Sequence, residues 1–144
     1  MRERRFLLDT NVVSEFVRLC PEPLVVNWLA SQNPLELFLS ATTFGELADG
    51  VYRLDVGKKR DTLLAWLEEL PSQFSDRILP FDRTTSTLWG RLMAQGDRRG
   101  RPRPAIDLQI AATAIQHGLV LATRNIDDFR DLDLSLVNPW EPIS

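Results

Sequence analysis

The sequence has one cysteine and one histidine. Cys20 can close no internal disulfide, which points to a reducing compartment, the cytoplasm. With His117 as the only imidazole, a structural zinc site of His and Cys ligands has too few donors. A serine triad would have to use that same histidine, and no G-x-S-x-G elbow accompanies it. Neither a G-x-G-x-x-G fingerprint nor a P-loop occurs. No apolar run is long enough to cross a bilayer, and Met1-Arg2-Glu3-Arg4-Arg5 leads into a strand-like segment rather than a signal peptide, so no membrane role is expected. Any imbalance of charge is also small: 20 Asp and Glu stand against 17 Lys and Arg, for a net charge of −3 over 144 residues. What remains abundant is carboxylate. For an enzyme, hard metal ions held by oxygen ligands are the expected chemistry.

At this length one domain, residues 1–144, is the default, and it is large enough to bury a core without staples. Short apolar runs at 5–9, 36–40, 77–79, 119–122 and 134–137 read as strands. Between them, helical spacing covers 12–18, 24–31, 41–54, 58–70 (stopping before Pro71), 84–95 and 105–117, the last ending at Gly118. Residues 96–104 read as a basic loop. Strands alternating with helical crossovers imply an α/β domain with a five-stranded, mainly parallel sheet flanked by helices on both faces.

Four positions in that frame fall where an open sheet places its ligands, beyond the carboxyl ends of the strands. Asp9 closes the first strand, and would otherwise be a helix cap with Thr10 and Asn11 beside it. Glu46 belongs to Thr43-x-x-Glu46, which reads locally as a capping box in the first turn of its helix. Asp107 sits in the first turn of a helix that is apolar on nearly every side, where the helix dipole already favours an acid. Asn125 follows the fourth strand, while Asp127 and Asp128 read as a polar turn. Each position has an ordinary explanation. Their coincidence at one rim does not, because clustered carboxylates repel one another unless a cation neutralises them. Mg²⁺ or Mn²⁺ suits such a set of carboxylate, amide and water oxygens.

The ordered segments Leu8-Asp9-Thr10-Asn11-Val12-Val13-Ser14-Glu15, Thr43-Phe44-Gly45-Glu46-Leu47 and Ile106-Asp107-Leu108-Gln109-Ile110-Ala111-Ala112 resemble the PIN-domain family. The resemblance continues through Ile78-Leu79-Pro80-Phe81-Asp82, Ala122-Thr123-Arg124-Asn125, Asp128-Phe129 and Asn138-Pro139-Trp140, and is to the VapC/FitB-type toxins of bacterial toxin–antitoxin pairs. It implies a metal-dependent ribonuclease that cuts RNA phosphodiesters with a metal-activated water and is controlled by a cognate VapB/FitA-like antitoxin. By motif position, Asp9, Glu46 and Asp107 match the family's acids and would hold the metal. Asn125 stands where many relatives carry a fourth Asp, which leaves the pocket one charge less negative. Its amide is expected to orient Asp107 or a water. Thr10, Asn11, Ser14 and Thr123 would support the pocket by hydrogen bonds. The family also pairs as homodimers, here through exposed parts of the helices between Val25 and Trp66.

A chain of net negative charge can bind RNA only through local positive charge. Arg98, Arg99, Arg101 and Arg103, directly before the Asp107 helix, are the expected phosphate contacts, with Arg124 opposite them. Two rival readings are weaker. A catalytically silent PIN-like module binding RNA or protein would not need all three acids. A phosphatase with an aspartyl nucleophile would show D-x-D-x-T at the first strand, whereas Asp9-Thr10-Asn11 lacks the second acid.

Overall fold

The structure is a computed structural model that describes residues 4–142. Met1, Arg2 and Glu3 of the expected leaderless start, and the last two residues of the expected 1–144 domain, lie outside the described residues. Five short strands, β1 (Phe6–Leu8), β2 (Leu37–Ser40), β3 (Ile78–Leu79), β4 (Val120–Ala122) and β5 (Leu136–Val137), form one sheet in the order β3-β2-β1-β4-β5. Every pairing is parallel.

The pleat of β1 explains why the sheet must be covered twice. Phe6 and Leu8 face one core, with Val12, Val13, Val25, Trp28, Leu39, Leu47 and Leu70. Leu7 faces the other, with Leu92, Leu108, Ala111 and Leu121. The first core is roofed by α1 (Thr10–Ser14), α2 (Pro23–Ala30), α3 (Ala41–Tyr52) and α4 (Lys58–Phe74). The second is roofed by α5 (Arg83–Arg98), α6 (Ala105–His117) and the short α7 (Ile126–Phe129), which drives the buried Phe129 into it. Since each buried Leu or Phe contributes roughly 1.5–3 kcal/mol, a strand buried on both faces is the firmest anchor in the molecule.

The helix ends differ from the sequence expectation at two places that matter. α4 does not stop before Pro71 but continues to Phe74. Proline removes one backbone donor, yet Leu67, Leu70 and Phe74 stay buried across it, and their burial holds the last turn. α5 begins at an Asp82/Thr85 capping box and runs to Arg98, so Arg98 is helical rather than part of a basic loop, and Arg99 is the cap. Among the described residues no helix is long and apolar enough to cross a membrane.

Candidate active site

Parallel strands put all their carboxyl ends on one edge. The register pairs Leu8 with Ala122, and the Asp9 N–H continues the ladder by donating to the Ala122 carbonyl at 2.9 Å. Asp9 and Thr123 therefore leave the sheet side by side. The Thr123 hydroxyl donates to Asp9 Oδ2 at 2.6 Å, and the Thr10 N–H to Asp9 Oδ1 at 2.8 Å. With 5% exposure, Asp9 is nearly sealed from water. Burial pushes its carboxyl above the ordinary range, these two hydrogen bonds pull it back, and the charges of Glu46 and Asp128 push it up again. Asp9 caps α1 and also faces the rim.

Glu46 reaches that rim by a different route from the one its sequence motif suggests. The cap of α3 is Ser40, whose hydroxyl accepts from the Thr43 N–H at 2.9 Å. Glu46 thus lies on the second turn, and no Thr43/Glu46 capping box forms. Its Oε1 instead accepts from the Thr10 hydroxyl at 2.6 Å, which joins α3 to α1. Thr10 also lies 3.2 Å from the Thr43 hydroxyl. Ser14 ties back to the Thr10 carbonyl at 2.9 Å. Asn11 Oδ1 accepts from the Arg124 N–H at 3.5 Å.

Asp107 stands half-buried in the first turn of α6. Its carboxyl is pushed up to about 6, first by burial and then by the charges of Asp9, Asp128 and Glu46. The charges of Asp9 and Glu46 acting on Asp107, and of Glu46 on Asp9, place the predicted acids near one another at one rim. The same shifts reveal a fourth carboxylate, Asp128, which the sequence alone reads as part of a polar turn. On α7 neighbouring side chains point about 100° apart. Asp127 turns outward to pair with Arg130 at 2.7 Å, while Asp128 adds its charge to the rim. The adjacent aromatic was the available signal: Phe129 is buried and fixes which way the helix faces.

Asn125 is exposed, and among the described residues its amide makes no hydrogen bond to Asp107. Its backbone N–H donates to the Thr123 hydroxyl at 3.0 Å, so it supports Asp9 at one remove.

The arginines divide. Arg101 pairs with Asp131, and Arg103 donates to the Asp128 and Arg130 carbonyls, so both clamp the segment after β4. Arg98 and Arg99 are exposed. Arg124 stacks on Trp140, 5.4 Å from the ring centroid.

The donor set is oxygen only, and neighbouring negative charge raises the carboxyls of Asp9 and Asp107, which fits a hard divalent cation. Among the described residues no three such groups close into a cage. Beside Glu46 an apolar groove of about 270 Å³ runs between α1, α3 and α4, lined by Leu47, Val51, Leu63 and Trp66.

The PIN domain family profile matches residues 6–134. The chain is 43% identical to the toxin FitB of Neisseria gonorrhoeae over 136 residues, covering 93% of this chain and 97% of that one. It is 39% identical to the VapC ribonuclease Y4jK of Sinorhizobium fredii over 137 residues, covering 94% and 98%. The crystal structure of FitAcB from N. gonorrhoeae superposes with a TM-score of 0.89 at 40% identity, covering 95% of this chain and 99% of that one. The acidic rim thus stands on a fold shared from end to end with these proteins, and the chain belongs to the PIN-domain family, alongside its VapC- and FitB-type members.

Proposed function

We propose that the protein, as one domain over residues 1–144, is a divalent-metal-dependent endoribonuclease and the toxin of a type II toxin–antitoxin pair. The observation that carries this reading is the convergence of Asp9, Glu46 and Asp107 at the carboxyl edge of a parallel sheet, where neighbouring negative charge raises the carboxyls of Asp9 and Asp107 and no lysine or arginine is among the influences on these two. Asp9 and Asp107 would hold Mg²⁺ or Mn²⁺, with Glu46 completing the set. When bound, the ion supplies a Lewis acid for the scissile phosphate and lowers the pKa of water. Thr123 and the Thr10 N–H fix both oxygens of Asp9, so its carboxylate needs no reorientation during the reaction. Glu46, held by Thr10, accepts the proton of the attacking water. Attack in line leaves a 5′-phosphate and a 3′-hydroxyl.

The same rim explains control by an antitoxin. A tail bearing Lys or Arg would neutralise the carboxylates, with the apolar groove beside Glu46 receiving its neighbouring residues. Pairing into a homodimer is supported by Leu24, Val26 and Tyr52, large apolar side chains exposed on α2 and α3. Cytoplasmic residence fits a lone exposed thiol, Cys20.

The test is cleavage of a mixed RNA by the purified protein with Mn²⁺ and with excess EDTA. Cleavage with Mn²⁺ that stops in EDTA is expected. Cleavage that persists in EDTA would sink the metal mechanism. Expression without a neighbouring small gene should arrest growth, and unhindered growth with abundant soluble protein would count against the toxin assignment.

A further inference from the structure

Apart from Arg98 and Arg99 at its end, the sequence motifs leave α5 without a role, yet one row of its exposed side chains carries arginines and no acid. Arg83, Thr87, Arg91, Gln95 and Arg99 follow one another at four-residue spacing, and all five are exposed. Each four-residue step turns the row by about 40°, so it winds about 160° round the helix from Arg83 to Arg99. No acid interrupts it.

Two concavities of about 540 and 530 Å³ flank this row and meet at Leu88 and Arg91, which line both. A third, of about 260 Å³, adjoins the second through Arg101 and Arg103 and ends at Asp127 and Asp128, where Asp127 is paired with Arg130. Asp128 is the carboxylate whose charge reaches both Asp9 and Asp107. Shared lining residues link the three concavities in series, hereafter the groove, from the N-terminus of α5 to Asp128. In the two along α5, five arginines stand against Asp131 and Asp133, and Asp131 is already paired with Arg101. Arg83, Arg91 and Arg99 are in none of the salt bridges among the described residues.

We propose that this groove is the track for a single RNA strand, with Arg83, Arg91 and Arg99 carrying its phosphates toward the acidic rim. The proposal rests on the ribonuclease reading and supplies what that reading lacks, a route by which substrate is held. Eight residues separate each arginine from the next, about 12 Å along the helix, so the row spans roughly 24 Å. At about 3.4 Å per stacked nucleotide that length holds some seven nucleotides, and fewer when the bases unstack. Leu88 and Leu92, on the floor, offer apolar surface to ribose or base faces without selecting among bases. Arg101 and Arg103 build the wall near the rim, since Asp131 and two carbonyls already engage them.

The experiment measures binding of a fluorescein-labelled single-stranded RNA of about twelve nucleotides, longer than the row. EDTA suppresses cleavage, and salt is varied. For wild type against the triple variant Arg83→Gln, Arg91→Gln, Arg99→Gln, we expect binding weakened by about tenfold or more. The slope of log affinity against log salt should fall by roughly 2, at about 0.7 for each phosphate of a single strand that is no longer neutralised. Cleavage of the same RNA with Mn²⁺ is followed in parallel. Unchanged affinity and slope in the triple variant, with the wild type still cutting, overturns the groove and leaves the ribonuclease standing. A wild type that neither binds nor cuts RNA overturns the ribonuclease reading, and the groove with it.

Discussion

The acidic rim and the arginine groove meet at Asp128, but they are held in opposite ways. At the rim, charge is concentrated and left uncompensated. Asp9 is sealed from water, with two hydrogen bonds fixing its oxygens, and Asp107 sits among like charges that drive its carboxyl up to about 6. Along α5 the charge is spread out and solvated, on side chains that nothing folds inward. Exposed arginines cost the fold little, whereas ionised carboxylates packed together oppose it. The contrast separates two tasks. Gathering charge before a cation arrives creates affinity for the cation, and lining a groove with solvated charge attracts a polyanion along its length.

The sharpest way to break this comparison is at Asp9. Asp9→Asn keeps a good helix cap, because Asn caps nearly as well as Asp, but removes a buried charge. Cleavage should fall by well over 100-fold, beyond the roughly 10–100-fold expected for a residue that only supports a metal ligand. Thermal unfolding without metal should not reveal a collapse of the fold. A variant that still cuts at a tenth of the wild-type rate would remove Asp9 from the chemistry.

Thr123→Val tests the support rather than the ligand. Its hydroxyl is the strongest of the influences lowering the Asp9 pKa. Without it Asp9 should ionise at higher pH, and cleavage should fall by about 10–100-fold with its acid limb moved upward. An unshifted pH profile would mean that Thr123 merely packs.

A third pair of variants concerns the fourth carboxylate. Asp128→Asn should weaken Mn²⁺ binding by several-fold and lower the Asp107 pKa, since it removes a like charge from the rim. Asn125→Ala should matter less, because what Asn125 gives to Thr123 is a backbone N–H that alanine also has. Metal titration of the two variants decides between them. A larger loss in Asn125→Ala would return that amide to the site.

The pair also shows what a sequence can and cannot display. All five strands, and three acids at their carboxyl edge, were legible because apolar runs and parallel topology are local or follow from local patterns. Glu46 is placed by its position after the second strand, and what the sequence misjudges is its local partner. Its motif suggests a cap, while Ser40 takes that task and Thr10, 36 positions away, fixes the carboxylate. Asp127 and Asp128 are chemically identical in the sequence, and both are exposed, yet the orientation set by the buried Phe129 leaves only Asp128 acting on the rim. In the same way, Arg101 and Arg103 read as free cations until Asp131 and the carbonyls after α7 engage them. Long-range partners of this kind leave no periodic trace.

The smallest expected effect is on stability, and its sign follows from the Asp107 carboxyl. In the unfolded chain an aspartate gives up its proton near 3.8, while in the folded protein Asp107 holds it to about 6. Between those values the folded state binds more protons, so without metal stability must fall as pH rises through this window. Asp9, also raised, acts in the same direction, whereas the exposed Asp82, lowered by its cap to Thr85, acts in the opposite one. A difference against Asp107→Asn cancels the other groups. In EDTA, the melting temperature of the variant should gain on the wild type from about pH 4 to about pH 6 and hold its lead above that. Adding Mn²⁺ at pH 7 should close the gap from the wild-type side, because the cation relieves the repulsion only where the carboxylate remains. A gap that is flat with pH, or that narrows as pH rises, would mean that Asp107 does not sit among the charges of the rim.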